Sequence, residues 1–437
     1  MNNHTATIVV DLGFGDAGKG TIVDFLCRMH AVGTVVRFNG GAQAAHRVVT
    51  PDGREHVFSQ FGSGTFMPSV RTHLSRFMLV EPSGLVSEAH ELQEAGCSNV
   101  FERLTIDEGA LVITPFHAYA NQIRESLRGN GRHGSCGMGI GETMADSIAF
   151  PDTAIHARDL KYPVVLREKL YAIRDRLKIV GVGVEDKRLE YALEAFEDAD
   201  APDRIARLMH EYASPFTIVP GSYLGTIAER QNLVFEGAQG VLLDEWYGFH
   251  PYTTWSTTTP ANAMTLLSEV GYAGDVLKYG LLRAYFTRHG AGPFPTECEH
   301  LTDQLPDPCN TSNQWQRGFR VGWFDAVLAR YAIAVSRGID ALVITNTDRF
   351  ASVPSRKICT AYDIPDWGRE TDLAPKQELT DLEYQSNLTS LLTRVAPVYE
   401  DAASHMPAYL DELAHIVGVP IRIESAGPSA DEKRFCV

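Results

Sequence analysis

A glycine-rich loop directly after a short apolar run most constrains what this chain can fold into. Residues 8–12 read Ile-Val-Val-Asp-Leu, and residues 13–21 read Gly-Phe-Gly-Asp-Ala-Gly-Lys-Gly-Thr before an amphipathic stretch. A strand, a glycine loop with a lysine, and a helix together surround a phosphate with backbone N–H groups. Gly20 stands where the common P-loop has a Ser or Thr hydroxyl for Mg²⁺, and Asp16 can supply that oxygen instead. The sequence therefore predicts a P-loop-like glycine loop after strand 1.

The rest of the chain alternates short β-branched runs with longer amphipathic stretches, a pattern typical of α/β proteins. The predicted strands are Ile8–Leu12, Gly33–Phe38, Leu111–Thr114, Leu233–Glu236 and Ala341–Thr345. The predicted helices are Thr21–Met29, Ala118–Leu127, Leu166–Leu177, Leu189–Phe196 and Ala326–Val335. We expect a single large α/β domain over residues 1–437 around a mostly parallel central β-sheet, with a polar surface excursion at 363–380.

Charge and cysteine usage narrow the classes of partner. The chain has 39 basic and 55 acidic residues and a net charge of −16, which argues against nonspecific nucleic-acid binding. No apolar run approaches the roughly 18 residues that a membrane span needs, and the N-terminus does not resemble a signal peptide. Seven scattered cysteines without a Cys-x-x-Cys pair favour a reducing compartment. We expect a cytoplasmic protein that binds neither membranes nor nucleic acid.

A second loop, residues 39–47, reads Asn-Gly-Gly-Ala-Gln-Ala-Ala-His-Arg after the second predicted strand. Paired glycines, the Gln43 amide and the His46 imidazole suit a loop that closes over a ligand, and an imidazole can act there as an acid. After the last predicted strand come Asn346 and Asp348. A carboxylate at that place can accept hydrogen bonds from both N1–H and the 2-amino group of guanine, which adenine cannot offer.

Together with later segments, these loops resemble the adenylosuccinate synthetase family. The segments are 134–141 (Gly-Ser-Cys-Gly-Met-Gly-Ile-Gly), 236–240 (Glu-Gly-Ala-Gln-Gly), 250–254 (His-Pro-Tyr-Thr-Thr), 287–297 (Thr-Arg-His-Gly-Ala-Gly-Pro-Phe-Pro-Thr-Glu), 322–325 (Gly-Trp-Phe-Asp) and 425–428 (Ser-Ala-Gly-Pro). The resemblance runs in one order along almost the whole chain. It implies a homodimeric, Mg²⁺-dependent ligase that uses GTP to phosphorylate the 6-oxo group of IMP. An amine, by default L-aspartate, then displaces phosphate to give adenylosuccinate.

The resemblance also implies roles for individual residues. The catalytic residues are Asp16 (general base), His46 (general acid), Lys19 and Gln239. The GTP-binding residues are Gly15, Gly18, Lys19, Gly20, Asn346, Asp348, Ser425 and Gly427. The purine monophosphate would contact Asp16, Gln43, Ser135, Cys136, Gln239, Thr254 and His289. The amino acid would contact Arg317, Arg320 and Trp315. Mg²⁺ would be held by Asp16 and the backbone carbonyl of Ala45.

Several positions depart from the family pattern, most of all at the amino-acid site. Met138 stands in place of a glycine-loop Arg, and Trp315 and Phe319 stand in place of a Thr and an Arg. Asn346 replaces a Lys. Each missing guanidinium removes a carboxylate partner worth about 1.5–3 kcal/mol per charged hydrogen bond.

These departures leave two alternatives open. The same chemistry could act on a different amine, or on a modified purine monophosphate such as dGMP or a nucleoside-antibiotic intermediate. The chain could also be an inactive nucleotide-binding paralogue with a regulatory role. Asp16 and His46 argue against the inactive paralogue, because a binding module needs neither.

Overall fold

The alternating sequence pattern produces alternating strands and helices in the computed structural model, which describes residues 4–128, 137–179, 187–307 and 318–436. The strands are β1 (Thr5–Asp11), β2 (Val32–Arg37), β3 (His46–Val49), β4 (Glu55–Phe58), β5 (Arg71–Leu74), β6 (Leu104–Asp107), β7 (Thr217–Val219), β8 (Asn232–Glu236), β9 (Asp275–Arg283), β10 (Phe286–His289), β11 (Phe319–Gly322), β12 (Phe324–Asp325), β13 (Ala341–Thr345), β14 (Arg356–Ile364), β15 (Gly368–Glu370), β16 (Ala396–Ala402), β17 (Ile421–Ser425) and β18 (Lys433–Phe435).

The helices include all five that the sequence predicts; the bounds of Ala326–Val335 agree, and the other four differ at one or both ends. They are α1 (Lys19–Met29), α2 (Pro82–Glu94), α3 (Pro115–Leu127), α4 (Ile140–Ala149), α5 (Pro163–Leu177), α6 (Glu190–Glu197), α7 (Ala201–Tyr212), α8 (Tyr223–Ala228), α9 (Ala261–Glu269), α10 (Glu299–Gln304), α11 (Ala326–Val335), α12 (Thr347–Ala351), α13 (Leu382–Leu392) and α14 (Met406–Val417). In the described ranges, no helix is long and apolar enough to cross a membrane.

A ten-stranded sheet is the centre of the fold. Its strand order is β18-β17-β13-β9-β1-β8-β2-β5-β6-β7, and every neighbouring pair is parallel except β17 and β18. In β1, Ile8 and Val10 pack into one apolar cluster and Val9 into another, so the strand is buried on both faces. This explains its continuous apolar run. The predicted α/β fold with a mostly parallel central sheet is confirmed.

Parallel strands bring their carboxyl ends to one edge of the sheet, where ligands of open α/β sheets bind. The last residues of six central strands at this edge are polar or charged: Asp11, Arg37, Glu236, Arg283, Thr345 and Ser425. Small antiparallel units flank the edge. The β3–β4 hairpin carries His46, and the β10–β11 pair carries His289 opposite Phe319.

One predicted strand, Leu111–Thr114, is wrong. Leu111 and Val112 each form only an isolated bridge, to His156 and Val80, on different partners. Thr114 then caps α3, its side chain accepting from the His117 N–H, and Pro115 is the first residue of that helix. The apolar run is therefore a short buried connection that leads into a helix, and β5 and β6 extend the sheet in its place.

The segment 363–380 lies at the end of a small sheet. Residues 363 and 364 finish β14, and the exposed strand β15 pairs back onto β14. Trp367, between them, is 80% exposed, whereas Leu373 is buried and belongs to the main apolar cluster. The segment therefore extends into solvent around Trp367 and returns to the main apolar cluster at Leu373.

Candidate active site

Asp11, the last residue of β1, organises the first glycine loop. Its carboxylate accepts hydrogen bonds from the N–H groups of Gly13 (2.8 Å) and Ala17 (2.9 Å) and pairs with Lys19 Nζ at 3.1 Å. Gly15 and Gly18 have φ angles of 94° and 83°, in the region that favours glycine. These bonds and angles fix the curvature of the loop. Asp11 was not among the residues predicted from the sequence, although an acid at the end of a strand before a glycine loop is a detectable signal.

The segment around Gln239 forms the floor beneath this loop. Lys19 Nζ donates to the Gln239 carbonyl at 2.6 Å. Gly240 lies so close that an added Cβ would be 2.3 Å from the Gly13 carbonyl oxygen and 2.4 Å from the Gly15 nitrogen. The glycine at position 240 is thus required by a close backbone approach.

Replacing Gly240 by Ala is expected to displace the glycine loop and weaken GTP binding at least about tenfold, since overpacking of this kind costs about 1–3 kcal/mol. Gly221→Ala is the matched control, because a Cβ at Gly221 would make only an ordinary contact of 3.5 Å with Asp107 Oδ2 among the described residues. Calorimetric titration with GTP and urea unfolding measure both effects. Equal GTP affinities for the two variants would contradict the expectation.

Asp16 lies inside the loop, and hydrogen bonds hold both its side chain and its backbone carbonyl. Its Oδ2 is 2.8 Å from Nδ1 of His289, and its carbonyl accepts from Arg283 Nε at 2.7 Å. Burial acts to raise the pKa of Asp16, but the hydrogen bond to His289 and the charges of His289, Arg283 and Lys19 together lower it. The carboxyl is 33% exposed, so a substrate can reach an ionised carboxylate here.

His46, the first residue of β3, is buried and paired with the last residue of β8. Its Nδ1 lies 2.6 Å from Oε1 of Glu236, whose other oxygen accepts from the Ser63 N–H at 2.9 Å. Burial opposes the ionisation of Glu236, yet the hydrogen bond from His46, the nearby charge of Arg37 and the Ser63 hydroxyl lower its pKa to about 2. Burial lowers the pKa of His46 despite the Glu236 charge. An ionised Glu236 orients the imidazole and leaves Nε2 to meet a ligand.

Two glutamine side chains have buried amide oxygens with no hydrogen-bond partner among the described residues. These are Oε1 of Gln239 and Oε1 of Gln43. Gln239 also has a positive φ of 56°, which is uncommon for a residue with a Cβ. Buried polar atoms are normally paired, and both glutamines line the same cavity, so these atoms are suited to contact a polar ligand.

At the far end of the cavity, the segments after β13 and β17 lie together. Asn346 has a φ of 57° and precedes α12, which carries Asp348. Thr21 at the start of α1 donates to the Pro428 carbonyl at 2.5 Å, which ties the glycine loop to the segment after β17. Asn346, Asp348 and Ser425 line this end of the cavity, and their polar side chains suit hydrogen bonding to a nucleotide base.

One cavity of about 590 Å³ lies between these segments. The predicted residues that line it are Gly15, Asp16, Gly18, Lys19, Gly20, Gln43, Ala45, His46, Gln239, His289, Asn346, Asp348, Ser425 and Gly427. Thr254 and Arg320 are not among its lining residues. Ser135, Cys136, Trp315 and Arg317 lie outside the described residues.

Arg320 is engaged with the protein itself. It pairs with Glu297 at 2.8 Å and donates to the carbonyls of Gly290 and Gly292 at 2.8 and 3.0 Å. Met138 packs against an apolar cluster of Leu79, Ile113 and Ile140. Met138 therefore offers no charged group, and Arg320 would have to exchange Glu297 for a substrate carboxylate.

The cavity fits Mg²⁺ bound together with substrate phosphates. Within the described ranges, no group of three or more His, Cys, Asp or Glu side chains could enclose a metal alone. Mg²⁺ commonly uses only one or two carboxylates and completes its shell with phosphate oxygens and water. Asp16, partly exposed beside Lys19 and the glycine loop, provides a suitable oxygen.

Arg283 and Asp307 also line the cavity, although the sequence indicated no role for them. They pair at 3.0 Å, and each side chain is 6% exposed. Arg283 is the last residue of β9, and in the sequence nothing distinguishes it from an ordinary strand end. Asp307 lies in a polar connection, so only the fold shows that the two meet.

Comparison with known proteins agrees with this geometry. The adenylosuccinate synthetase family model matches residues 8–434. An adenylosuccinate synthetase of Magnetococcus marinus is 34% identical over 450 residues, and one of Neisseria meningitidis serogroup C is 33% identical over 438 residues. Each match covers 97% of both proteins.

Two solved structures share the fold. A fully ligated adenylosuccinate synthetase from Plasmodium falciparum has a TM-score of 0.81 at 20% identity, with 99% of both chains covered. The cyanophage S-2L succinoaminodeoxyadenylate synthetase bound to dGMP and dATP has a TM-score of 0.61 at 16% identity, covering 99% of this chain and 95% of that one. Because the family match spans nearly the whole sequence, this chain belongs to the adenylosuccinate synthetase family.

Proposed function

We propose that this chain uses GTP and Mg²⁺ to phosphorylate the 6-oxo group of IMP and joins an amine, by default L-aspartate, to C6. The products are adenylosuccinate, GDP and phosphate. The observation that carries the proposal is the convergence of two acid–base groups beside the glycine loop. The Asp16 carboxylate is held by His289, the His46 imidazole is held by Glu236, and both reacting side chains line one cavity.

Asp16 is the base in the first step. It accepts the proton from purine N1, which increases the electron density on the 6-oxygen. That oxygen forms a bond to the γ-phosphorus of GTP, the bond from this phosphorus to the bridging oxygen breaks, and GDP leaves with the electron pair. An ionised carboxylate at neutral pH is the required starting state, and the lowered pKa of Asp16 provides it.

Lys19, the loop amides and His46 hold the phosphoryl group during transfer. Phosphoryl transfer depends mainly on positioning and charge stabilisation, which a lysine and fixed backbone N–H groups supply. The negative charge of a bound triphosphate favours the imidazolium form of His46, because an opposite nearby charge stabilises the charged state. Nε2 can then donate to a phosphate oxygen while Nδ1 remains on Glu236.

In the second step the amine nitrogen attacks C6. The new C–N bond forms, the bond from C6 to the phosphorylated oxygen breaks, and phosphate leaves with one proton from the amine. Gln239, with an unpartnered amide oxygen in the cavity, is placed by this proposal at the 6-substituent. Gln43, Ser135, Cys136, Thr254 and His289 would bind the purine monophosphate, and Arg317, Arg320 and Trp315 the amino acid.

The Asp16 carboxylate and the Ala45 carbonyl would hold Mg²⁺, and both residues line the cavity. When bound, Mg²⁺ neutralises phosphate charge and so favours transfer.

The direct test is turnover by the purified chain. With IMP, GTP, Mg²⁺ and L-aspartate, we expect phosphate release that requires all four components, and a product with the mass of adenylosuccinate. Omitting each component in turn gives the controls. Absence of phosphate release with aspartate would contradict the proposal for this amine.

A second candidate keeps the activation step but uses another amine or a modified purine monophosphate. Two observations favour it: Met138 packs into an apolar cluster, and Arg320 is paired with Glu297. Assays with a panel of amines, and with dGMP in place of IMP, distinguish the candidates. A strong preference for aspartate with IMP would exclude the second one.

Replacing Asp348 by Asn is expected to reduce the preference for GTP over ATP at least about tenfold, because a charged hydrogen bond to guanine is worth about 1.5–3 kcal/mol. The variant retains the size of the side chain, and Asp348 lines the base end of the cavity. The ratio of kcat/KM for GTP and ATP measures the effect. An unchanged ratio would place guanine recognition elsewhere.

We also infer a cytoplasmic homodimer. Four large apolar side chains near the α4–α5 junction are exposed by 50–67%: Ile148, Phe150, Tyr162 and Val164. Arg176 of α5 pairs with Asp146 of α4, which holds the two helices together. Such a patch favours association with another subunit. The cysteines within the described ranges, Cys27, Cys97, Cys298, Cys359 and Cys436, are free thiols, as a reducing compartment would keep them.

A further inference from the structure

Arg283 connects the loop that carries Asp16 to a different wall of the cavity. It is the last residue of β9, and its Nε donates to the Asp16 carbonyl at 2.7 Å. Its Nη1 lies 3.0 Å from Oδ2 of Asp307. The guanidinium also packs over the ring of Phe319, with 5.4 Å to the ring centre. Arg283 therefore has protein partners on three sides.

Asp307 is shared by a second guanidinium. Nη1 of Arg349, in α12, lies 3.4 Å from the same Oδ2, and Nη2 of Arg349 donates to the Pro306 carbonyl. Arg349 follows Asp348 directly. The three side chains thus form a continuous bridge from the Asp16 backbone to the helix at the base end of the cavity.

This bridge is costly to maintain as a purely structural feature. Arg283 and Asp307 are each 6% exposed at the side chain, and buried ion pairs are often replaceable by apolar residues without loss of stability. The bridge also ends on Asp16, whose backbone conformation is energetically unfavourable. Asp16 has a φ of 61°, in the left-handed region that residues with a Cβ rarely adopt. A hydrogen bond to its carbonyl holds that conformation.

We propose that Arg283 is a positioning residue that fixes the Asp16 carboxylate for proton abstraction, and that Asp307 and Arg349 hold Arg283 in place. The inference rests on the proposed function for its kinetic consequences. Arg283 also lines the cavity, but its hydrogen bond is to the Asp16 backbone, so the proposed role acts through Asp16 and predicts a change in kcat rather than in KM.

The test compares Arg283→Met, Arg283→Lys and Asp307→Asn with the control Arg330→Met. Arg330 is a partly buried arginine of α11 that also binds one carboxylate and backbone carbonyls, away from the cavity. We expect Arg283→Met to lower kcat about 10- to 100-fold, since small misplacements of reacting groups have effects of this size. KM for IMP and for GTP should change less than about threefold.

The conservative variants should give intermediate values. Arg283→Lys can reach either the Asp16 carbonyl or Asp307 but not both, so kcat should recover partly. Asp307→Asn keeps the size of the side chain and leaves the Arg283 bond to Asp16 in place, so it is the second variant if Arg283→Met does not fold, and it should lower kcat severalfold. A kcat for Arg283→Met and Asp307→Asn equal to that of Arg330→Met would overturn the proposal, as would a loss confined to KM.

Hydrogen exchange of the backbone amides in residues 13–20 gives a readout that needs no turnover. Exchange there should be faster in Arg283→Met and Asp307→Asn than in the wild type or Arg330→Met, without nucleotide present. If the wild-type chain shows no ligase activity, the proposed function fails, and the exchange measurement still decides whether Arg283 holds the loop. Unchanged exchange in both variants would refute the positioning role.

Discussion

Replacing Asp16 by Asn is expected to lower kcat about 1,000-fold, within the range of roughly 10²–10⁴ for a general base. Asn keeps the shape of the side chain and can still hydrogen-bond with His289, but it cannot accept the N1 proton. Binding of GTP without Mg²⁺ should change less than about threefold, because Lys19 and the loop amides remain. Stopped assays of phosphate release and calorimetric titration measure the two quantities.

Asp363→Asn is the control for loss of one negative charge. Asp363 pairs with Arg369 on the exposed surface, so its replacement should leave both quantities unchanged. A large loss of GTP affinity in Asp16→Asn with kcat retained would assign Asp16 to nucleotide binding alone. A wild-type chain that binds GTP but releases no phosphate with any amine would favour the inactive paralogue.

Replacing His46 by Asn is expected to lower kcat about 100-fold or more, because a general acid contributes roughly 10²–10⁴-fold. The side chain is 7% exposed, and only its Nε2 is left for a ligand once Nδ1 binds Glu236. Glu236→Gln should have a smaller effect of the same kind, since it removes the charge that favours the imidazolium. Single-turnover transfer from GTP to IMP isolates the step in which His46 acts.

His210→Asn is the control for loss of an imidazole. His210 is an exposed histidine of α7 whose Nδ1 lies 2.8 Å from the Leu160 carbonyl, and it does not line the cavity. If His46→Asn transferred phosphoryl as fast as His210→Asn, His46 would have no role in that step. If only the second step slowed, His46 would act on departure of phosphate from C6.

The sequence was sufficient to predict groups that follow strands directly. The glycine loop and Asp348 come just after apolar runs, and parallel strands place such residues at one edge. The predicted strand at Leu111–Thr114 was wrong because a short buried apolar run has no periodicity to separate a strand from a connection. Only the bridges to different partners show what it is.

Contacts between residues that are distant in the chain could not be predicted from the sequence. Arg283 and Asp307 are 24 residues apart with β10 and α10 between them, and no local pattern indicates that they pair. The same limit applies to Arg320. In the sequence it resembles an arginine of the amino-acid site, and only the fold shows that it forms an ion pair with Glu297.

The strand order also has a consequence for how the protein forms during synthesis. β1 is made early, yet it pairs with β8 and β9, and the Thr5 N–H bonds an asparagine 227 residues later. The Thr21 hydroxyl reaches the Pro428 carbonyl, 407 residues later. Such long-range pairing makes folding slow, and the apolar faces of β1 stay uncovered until the later strands emerge. A chain that ends before β17 would lack Ser425, Gly427 and Pro428 of the cavity lining, so we expect nucleotide affinity only once nearly the whole chain has been made.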